Sequence, residues 1–190
     1  MRIGLYFGSF NPIHLGHLII ANYIVENSDI KQVWFVVSPQ NPLKKSSSLL
    51  NEYHRLYLVQ IAIEGNTKFR YSDIEFKLPR PSYTIDTLTY LHEKYNSHEF
   101  IIIIGSDSLK NISKWKNSEE LLKRFSFCVY QRPGFEVEDE TRANIHLLKA
   151  PLLEISSTHI RNTIQTGKSI KYLVPDNVLE EIERNGYYRK

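Results

Sequence analysis

Secreted and membrane proteins usually carry cysteine pairs or long apolar runs, and this sequence has little of either. Cys128 is the one cysteine among 190 residues, so no disulfide can form within the chain. No unbroken apolar stretch is longer than that at Phe100 to Ile104, which falls far short of the roughly 20 residues that a membrane helix needs. The start, Met1 and Arg2 followed at once by an apolar run, does not resemble a signal peptide. We therefore expect a cytoplasmic protein with no membrane partner.

A dominant charge is also missing. The 24 Lys and Arg residues nearly balance the 21 Asp and Glu residues, and the formal net charge of +3 suits a small anionic ligand. No block of five or more basic residues occurs, so nucleic acid is not an expected partner. Hydrophobic residues make up 42%, and 190 residues suffice for one well-buried domain. We expect a single domain over 1–190 with a helical C-terminal part from about 156 to 190; a homo-oligomer is compatible with this composition.

Short apolar runs alternate with segments of helical periodicity along the chain. The runs predict strands at 2–7, 32–37, 69–72, 100–104, 125–130 and 145–148. The periodic segments predict helices at 15–26, 50–64 and 175–184, and two more that begin near 84 and 157. Ser82 or Thr84 can cap the helix near 84, and Gly167 can end the helix that begins near 157. The predicted fold class is α/β: a Rossmann-like open sheet, mainly parallel, with helices on both faces.

The stretch from Gly8 to His17 connects the first predicted strand to the first helix. Such a turn is a frequent phosphate site, because the first turn of a helix has unpaired N–H groups and the positive end of the helix dipole. Gly8 and Gly16 would let the main chain approach a ligand, while His14 and His17 lie three residues apart and can donate to phosphate oxygens. Two surface histidines or a zinc pair are the alternatives, but no Cys/His cluster completes four zinc ligands.

Two other segments carry groups that suit an anion. Lys44 lies in a polar loop after the second strand, where it could meet a phosphate or remain solvated. Ser156, Ser157 and Thr158 precede Arg161 by about one helical turn. This second segment can be an anion cradle or a plain N-cap, and the two readings are compatible.

The residues after the most hydrophobic strand offer a further binding group. Gly105 ends that strand, and Asp107 follows it closely enough to hold a ribose hydroxyl or to cap a helix. Trp115 stands between Lys114 and Lys116, so it is either a packed lid residue or a stacking plate for a flat ring.

Two motifs at opposite ends of the chain resemble the signatures of the nucleotidyltransferase superfamily. They are Gly8-x-Phe10-x-Pro12-x-His14-x-Gly16-His17 and Ile155-Ser156-Ser157-Thr158-x-Ile160-Arg161. Within the superfamily, the chain resembles the bacterial nicotinate-nucleotide adenylyltransferases over essentially its whole length. The segments that carry this likeness are Ser82-Tyr83-Thr84-x-Asp86-Thr87-Leu88, Gly105-Ser106-Asp107, Trp115, Arg132-Pro133-Gly134 and Tyr172-Leu173-Val174-Pro175.

The resemblance implies an enzyme of NAD biosynthesis that transfers AMP from ATP to nicotinate mononucleotide, giving deamido-NAD and pyrophosphate. It implies catalytic roles on the phosphates for His14, His17, Lys44 and Arg161. The implied ATP site comprises Gly8, Ser9, Phe10, His14, His17, Gly105, Asp107, Ser156, Ser157, Thr158 and Arg161. The implied nicotinate-nucleotide site comprises Ser9, Lys44, Tyr83, Thr84, Trp115, Lys116 and Arg132. There Trp115 would stack on the ring, and backbone amides would bind the carboxylate of the substrate.

The chemistry of the implied reaction sets further expectations. A phosphate monoester has a second pKa of about 6, so the attacking group is mostly a dianion at neutral pH and alignment matters more than a general base. No carboxylate cluster for a metal is evident, so we expect Mg²⁺ to arrive on the ATP phosphates. Two positions depart from the family pattern: Leu43 stands where a histidine usually precedes the lysine, and Lys116 where tyrosine often follows the tryptophan. Lys116 could add a cation near the substrate carboxylate.

Two other functions stay open. One is a related adenylyl- or cytidylyltransferase with another phosphorylated acceptor, such as phosphopantetheine, and the other is a nucleotide sensor without catalysis. Trp115 and the loop at Tyr83 argue against the first, because those acceptors have no flat ring to stack. The joint occurrence of His14, His17 and Arg161 argues against the second.

Overall fold

The computed structural model describes residues 1–40, 49–132, 134–135, 137, 144–151 and 154–189. Within these residues, six parallel strands form one sheet in the order β3-β2-β1-β4-β5-β6. The strands are β1 Arg2–Gly8, β2 Gln32–Val37, β3 Phe69–Ser72, β4 Glu99–Gly105, β5 Ser126–Tyr130 and β6 Ile145–Leu148. The predictions for β2, β3 and β6 are confirmed residue for residue, and the other three differ by single residues at their ends. The α/β fold class is likewise confirmed.

Seven α-helices lie in the described ranges. They are α1 Leu15–Asn27, α2 Glu52–Ala62, α3 Thr84–Lys94, α4 Ser106–Lys110, α5 Ser118–Arg124, α6 Ser157–Gln165 and α7 Asp176–Asn185. Short 3-10 turns occupy Ile74–Lys77 and Ile112–Lys114. The start predicted for α2 was two residues early, because the side chain of Asn51 caps the helix by accepting from the N–H of Tyr53. None of the described helices has the length and apolarity to cross a bilayer.

Helices cover both faces of the sheet, because alternate residues of each strand point to opposite sides. Ile3 and Leu5 of β1 belong to a buried cluster that includes Leu88 of α3 and Leu121 of α5. Tyr6, next in the strand, belongs to the cluster on the other face. Four helices contribute buried side chains to this second cluster: Ile24 of α1, Leu58 of α2, Ile160 of α6 and Val178 of α7. The C-terminal helices thus share a core with the first two.

The strand order identifies one edge of the sheet as the place for a ligand. The chain leaves β1 towards β2 and β3 on one side and then returns to β4, which pairs with β1 on the other side. In open α/β sheets, ligands bind at the carboxyl ends of the strands where the order reverses in this way. Those ends are Gly8 of β1 and Gly105 of β4, so the β1–α1 turn and the start of α4 face this edge.

Two helix boundaries were predicted from single residues: the start of the helix near 84 and the end of the helix that begins near 157. Only the second prediction is confirmed. Gly167 ends α6 as predicted, since it has a φ of +70° and its N–H donates to the carbonyl of Ile164 at 3.0 Å. The prediction of a cap from Ser82 or Thr84 was wrong. Tyr83 holds the cap position of α3 without a side-chain cap bond, and Thr84 is the first helical residue. The hydroxyl of Ser82 has another partner, described below.

Candidate active site

The β1–α1 turn brings the two histidines together at the carboxyl end of β1. His14 precedes α1 directly and His17 lies in its first turn, so the imidazole rings stack with centroids 3.6 Å apart. The backbone N–H of His14 donates to Nδ1 of His17 at 3.2 Å. Because Nδ1 accepts this bond, the hydrogen-bond network assigns the proton of neutral His17 to Nε2, which is then free to act as a donor.

Both imidazoles are neutral at neutral pH. Burial, with the charge of Arg132, lowers the pKa of His14 from 6.5 to about 3. Burial, followed by the charges of His14 and Arg132, holds the pKa of His17 well below its usual value. Nδ1 of His14 is buried and makes no hydrogen bond within the described part of the chain. A bound anion would raise both pKa values, so the pair can answer negative charge with hydrogen bonds and with protonation.

Gly8 and Gly16 make room for the rings of the site itself. A Cβ on Gly8 would lie 2.9 Å from Cζ of Phe10, and a Cβ on Gly16 would lie 3.0 Å from Nδ1 of His14. Phe10 has a φ of +42°, which is costly for a bulky residue, and its buried ring packs edge-on against His17 at 5.1 Å between centroids. The sequence predicts main chain open to a ligand at these glycines; the structure fills the space with side chains that position the histidines.

Helix α6 meets this turn from the far end of the chain. The hydroxyl of Ser157 donates to the carbonyl of Pro12 at 2.8 Å, and Nη1 of Arg161 donates to the carbonyl of Asn11 at 2.8 Å. The two signature motifs therefore lie in direct contact. A guanidinium has five N–H donors, so Arg161 can brace the turn and still face a phosphate.

The hydroxyl run before Arg161 performs the capping that the sequence allows. Oγ of Ser156 accepts the N–H of His159 at 3.1 Å, which confirms the N-cap interpretation for this residue. Thr158 accepts from Nη2 of Arg161 at 3.2 Å and so helps to orient the guanidinium.

The carboxyl ends of β4 and β5 add a second cation. Nε of Arg132 lies 3.5 Å from a carboxylate oxygen of Asp107, and its Nη2 donates to the hydroxyl of Tyr130 at 3.2 Å. The backbone N–H of Arg132 donates to the hydroxyl of Ser106 at 2.9 Å. A Cβ on Gly105 would displace the Asp107 carboxylate and crowd the side chains of Arg132 and Tyr130. Gly105 itself holds the cap position of α4, so the helix-cap alternative for Asp107 was wrong.

A third group of predicted residues forms at the start of α3. Nζ of Lys116 lies 4.7 Å from the ring centroid of Tyr83 and 2.9 Å from a carboxylate oxygen of Asp86. Tyr83 and Trp115 are half-buried and pack against the same core cluster, and Thr84 opens the helix beside them. The charge of Lys116 is therefore paired with Asp86 in this structure.

Lys44, together with Leu43 before it, lies outside the described residues. In the described ranges, no three His, Cys, Asp or Glu side chains lie close enough to hold a metal ion together. Mg²⁺ bound to the ATP phosphates stays a prediction.

Arg55 is a residue of this edge that the sequence did not reveal. Its side chain is completely buried, and burial lowers its pKa to about 10, so it is charged at neutral pH. It donates to four backbone carbonyls, those of Leu50 at 2.7 Å, Ser9 at 2.5 Å, Ser38 at 2.8 Å and Pro39 at 2.9 Å. The available signal was its spacing of three and four residues from Leu58 and Val59, which places an arginine on the apolar face of α2.

Glu75 is the second unpredicted residue. It lies in the first 3-10 turn, is 2% exposed, and accepts from the hydroxyls of Ser82 and Thr87 at 3.0 Å each. Burial raises its pKa, while these hydroxyls act in the opposite direction. The polar segment around it gave no sign that this one carboxylate would be buried.

Comparison with known proteins agrees with the geometry of this edge. The profile of the cytidylyltransferase-like family matches residues 5–163, which places the chain among α/β nucleotidyltransferases. A probable nicotinate-nucleotide adenylyltransferase of Cytophaga hutchinsonii is 54% identical, with 99% of this chain and 98% of the relative covered. Its counterpart in Flavobacterium johnsoniae is 52% identical, with both chains covered in full. The chain belongs to the nicotinate-nucleotide adenylyltransferases, and the family and activity predicted from the sequence are confirmed.

A solved structure gives the same fold at lower identity. The nicotinic acid mononucleotide adenylyltransferase of Plasmodium falciparum, in complex with NaAD, superposes with a TM-score of 0.83. The match covers 98% of this chain and 97% of that one at 22% identity, so the likeness concerns the fold.

Proposed function

We propose that the protein transfers AMP from ATP to nicotinate mononucleotide at the carboxyl edge of its sheet, with deamido-NAD and pyrophosphate as products. The observation that carries the assignment to this edge is the contact between α6 and the β1–α1 turn. There Ser157 and Arg161 lie against the carbonyls just before the stacked histidines. The membership of the chain in the family supports the reaction, and this contact supports its assignment to this edge.

The reaction requires the protein mainly to align the two substrates and to stabilise negative charge on the phosphates. A phosphate oxygen of nicotinate mononucleotide attacks the α-phosphorus of ATP, the bond from that phosphorus to the bridging oxygen breaks, and pyrophosphate leaves. The attacking oxygen is already deprotonated near neutral pH, so no side chain needs to accept a proton. Hydrogen-bond donors that are fixed in advance stabilise the charge that grows on the transferred and leaving phosphates.

On the ATP side, we assign the donors to the two signature motifs. His14 and His17 contact the phosphates from α1, with Nε2–H of His17 as one donor, and Arg161 contacts them from α6. Asp107 receives ribose hydroxyls at the end of β4. Lys44 is assigned to the phosphates by family pattern alone. Mg²⁺ enters as part of the substrate, bound to the ATP phosphates.

On the acceptor side, we assign the pyridine ring to the surface formed by Tyr83, Thr84 and Trp115. Trp115 offers the flat face that a pyridine can stack on. We assign Arg132 to the nicotinate nucleotide as well, and its charge also acts on both imidazoles. We also propose a cytoplasmic location, since the single cysteine, Cys128, suits a reducing compartment.

The test is pyrophosphate release from ATP with three acceptors: nicotinate mononucleotide, nicotinamide mononucleotide and phosphopantetheine. We expect the highest kcat/KM with nicotinate mononucleotide. Preference for phosphopantetheine would assign the protein to the related transferases, and ATP binding without release for any acceptor would assign it to the sensors. Either result would overturn the proposal.

A further inference from the structure

Arg55 and Glu75 are buried charged groups with no place in the reaction described above. Arg55 is completely buried on α2, and Glu75 is 2% exposed in the 3-10 turn after β3. Buried charges are rare, because removal from water costs several kcal/mol unless hydrogen bonds replace the lost hydration. Both groups are well supplied with partners, and those partners belong to the segments that carry the site.

Ser38 joins the two groups. It follows β2 directly, and its N–H donates to the carbonyl of Gly8 at 2.9 Å, which ties it to the end of β1. Its own carbonyl accepts from Nη1 of Arg55 at 2.8 Å, and its hydroxyl is one of the neighbours that lower the pKa of the buried Glu75 carboxyl against the effect of burial. One residue thus links the end of β1 to the guanidinium and lies beside the carboxylate.

The other contacts of each group lead to opposite sides of the proposed site. Arg55 reaches the carbonyl of Ser9, at the start of the turn that carries the histidines. Glu75 accepts from Ser82 and Thr87 at 3.0 Å each, and these two residues bracket the turn that contains Tyr83 and Thr84. The guanidinium of Arg55 is planar and rigid, and the carboxylate of Glu75 accepts a hydrogen bond on each oxygen. Both groups therefore fix the directions of their contacts as well as the distances.

We propose that Arg55 and Glu75 are positioning residues on either side of Ser38. Together they hold the β1–α1 turn in a fixed relation to the turn that contains Tyr83 and Thr84, here called the acceptor turn. The kinetic part of this inference rests on the proposed function, since it takes the turn at Tyr83 as the acceptor side. Because transfer requires two anionic substrates in line, a small displacement of one turn relative to the other lowers the rate.

The sharpest variant is Glu75→Gln, which keeps the shape but replaces one accepting oxygen by an NH₂ group. We expect the KM for nicotinate mononucleotide to rise by about tenfold or more while the KM for ATP stays within about twofold, since only the acceptor turn loosens. Ser38→Ala removes the hydroxyl beside Glu75 and keeps the backbone contacts of Ser38, so it should produce the same pattern in smaller degree. Glu26→Gln and Ser97→Ala are the matched controls, because both residues are exposed and lie at the opposite edge of the sheet.

Arg55→Lys tests the other arm. A lysine keeps the charge, but it cannot reach four carbonyls in different directions. We expect a loss of kcat of about tenfold or more with both substrates at saturation, because the turn of Ser9 also shifts. Arg2→Lys at the amino end of β1 is its control. The double variant with Glu75→Gln should lose less than the product of the single effects, since both act through Ser38.

A measurement without substrates separates this inference from the proposed function. Amide hydrogen exchange of residues 82–87 should be about tenfold faster in Glu75→Gln than in the wild type, and unchanged in Glu26→Gln. Unchanged exchange, or equal rises in both KM values, would overturn the positioning role. If exchange rises but the wild type releases no pyrophosphate with nicotinate mononucleotide, the positioning role stands and the proposed function fails.

Discussion

At the scale of single residues, the site depends on keeping two histidines neutral and close together. The rings stack at 3.6 Å between centroids, and both pKa values are lowered mainly by burial. Two cationic imidazoles at this distance would repel each other, so stacking and neutrality support one another. A bound triphosphate changes this state, because its negative charge favours the protonated form of both imidazoles.

His17→Ala should lower turnover by about 100-fold or more, in the range for loss of one preorganised donor. The change removes Nε2–H and also the Nδ1 that accepts the backbone N–H of His14 at the start of α1. Steady-state rates at saturating substrates measure the loss, and circular dichroism checks that the fold is kept. His92→Ala on the exposed face of α3 is the control. Turnover within about threefold of the wild type would exclude a role for His17 in catalysis.

The lowered histidine pKa values also predict how stability depends on pH. Below pH 6.5 the unfolded chain takes up a proton at His14 that the folded protein does not take up until about pH 3, so acidification favours unfolding. At a slope of about 1.4 kcal/mol per pH unit, His14 alone should lower the free energy of unfolding by about 2 kcal/mol between pH 6.5 and pH 5. Urea unfolding at several pH values measures this loss.

His14→Asn is the matched variant for that experiment, because asparagine is a good N-cap and does not titrate. Its free energy of unfolding should fall less between pH 7 and pH 5 than that of the wild type. An equal fall in both proteins would mean that His14 is not held neutral by the fold.

Residues whose partners are near in sequence could be predicted, and residues whose partners are distant could not. The cap formed by Ser156 and the end of α6 at Gly167 follow from local preferences. Ser82 and Thr84 misled the prediction of a cap because Glu75, from another segment, takes the Ser82 hydroxyl. The pairing of Lys116 with Asp86 was invisible for the same reason, since it joins segments that are separate in the chain.

At the scale of elements, α6 has two ends with different tasks. Its start holds Ser157 and Arg161 against the β1–α1 turn, while its end is closed by Gly167. The bonds from Gly167 to the carbonyl of Ile164 and from Lys168 to that of Thr163, both at 3.0 Å, define the left-handed cap. Stability and catalysis can therefore be changed separately within one helix.

Gly167→Ala should lower the free energy of unfolding by about 1 kcal/mol, because alanine is strained at a φ of +70°. Nothing lies within 4 Å of the added methyl group, so the cost is conformational and the active-site end of α6 is undisturbed. Urea unfolding gives the loss, while kcat and both KM values should match the wild type. Gln165→Ala, on the exposed last turn, should stay within about 0.5 kcal/mol. A loss of activity in Gly167→Ala would show that the two ends are coupled.

At the scale of the whole molecule, the order of the strands was not needed to predict the fold class. Runs such as Gln32–Val37, apolar almost throughout, indicate strands buried on both faces, and these occur in parallel sheets. The reversal of strand order that brings β1 beside β4 depends on contacts across the whole chain. The motif resemblance therefore indicated the site earlier than the topology could.

We expect the chain to unfold as one cooperative unit. Buried side chains of α6 and α7 share a cluster with those of α1 and α2, so the C-terminal helices cannot detach without opening that core. Thermal unfolding followed by far-UV circular dichroism and by tryptophan fluorescence should give coincident transitions. Two separated transitions would show that the C-terminal part from about 156 to 190 is an independent unit.

The most direct test of the central claim is the identity and stoichiometry of the products formed from ATP and nicotinate mononucleotide. We predict deamido-NAD and pyrophosphate in equal amounts by chromatography, both dependent on the presence of both substrates, and both lost in His17→Ala. Pyrophosphate without deamido-NAD, or deamido-NAD at the wild-type rate in His17→Ala, would contradict the account.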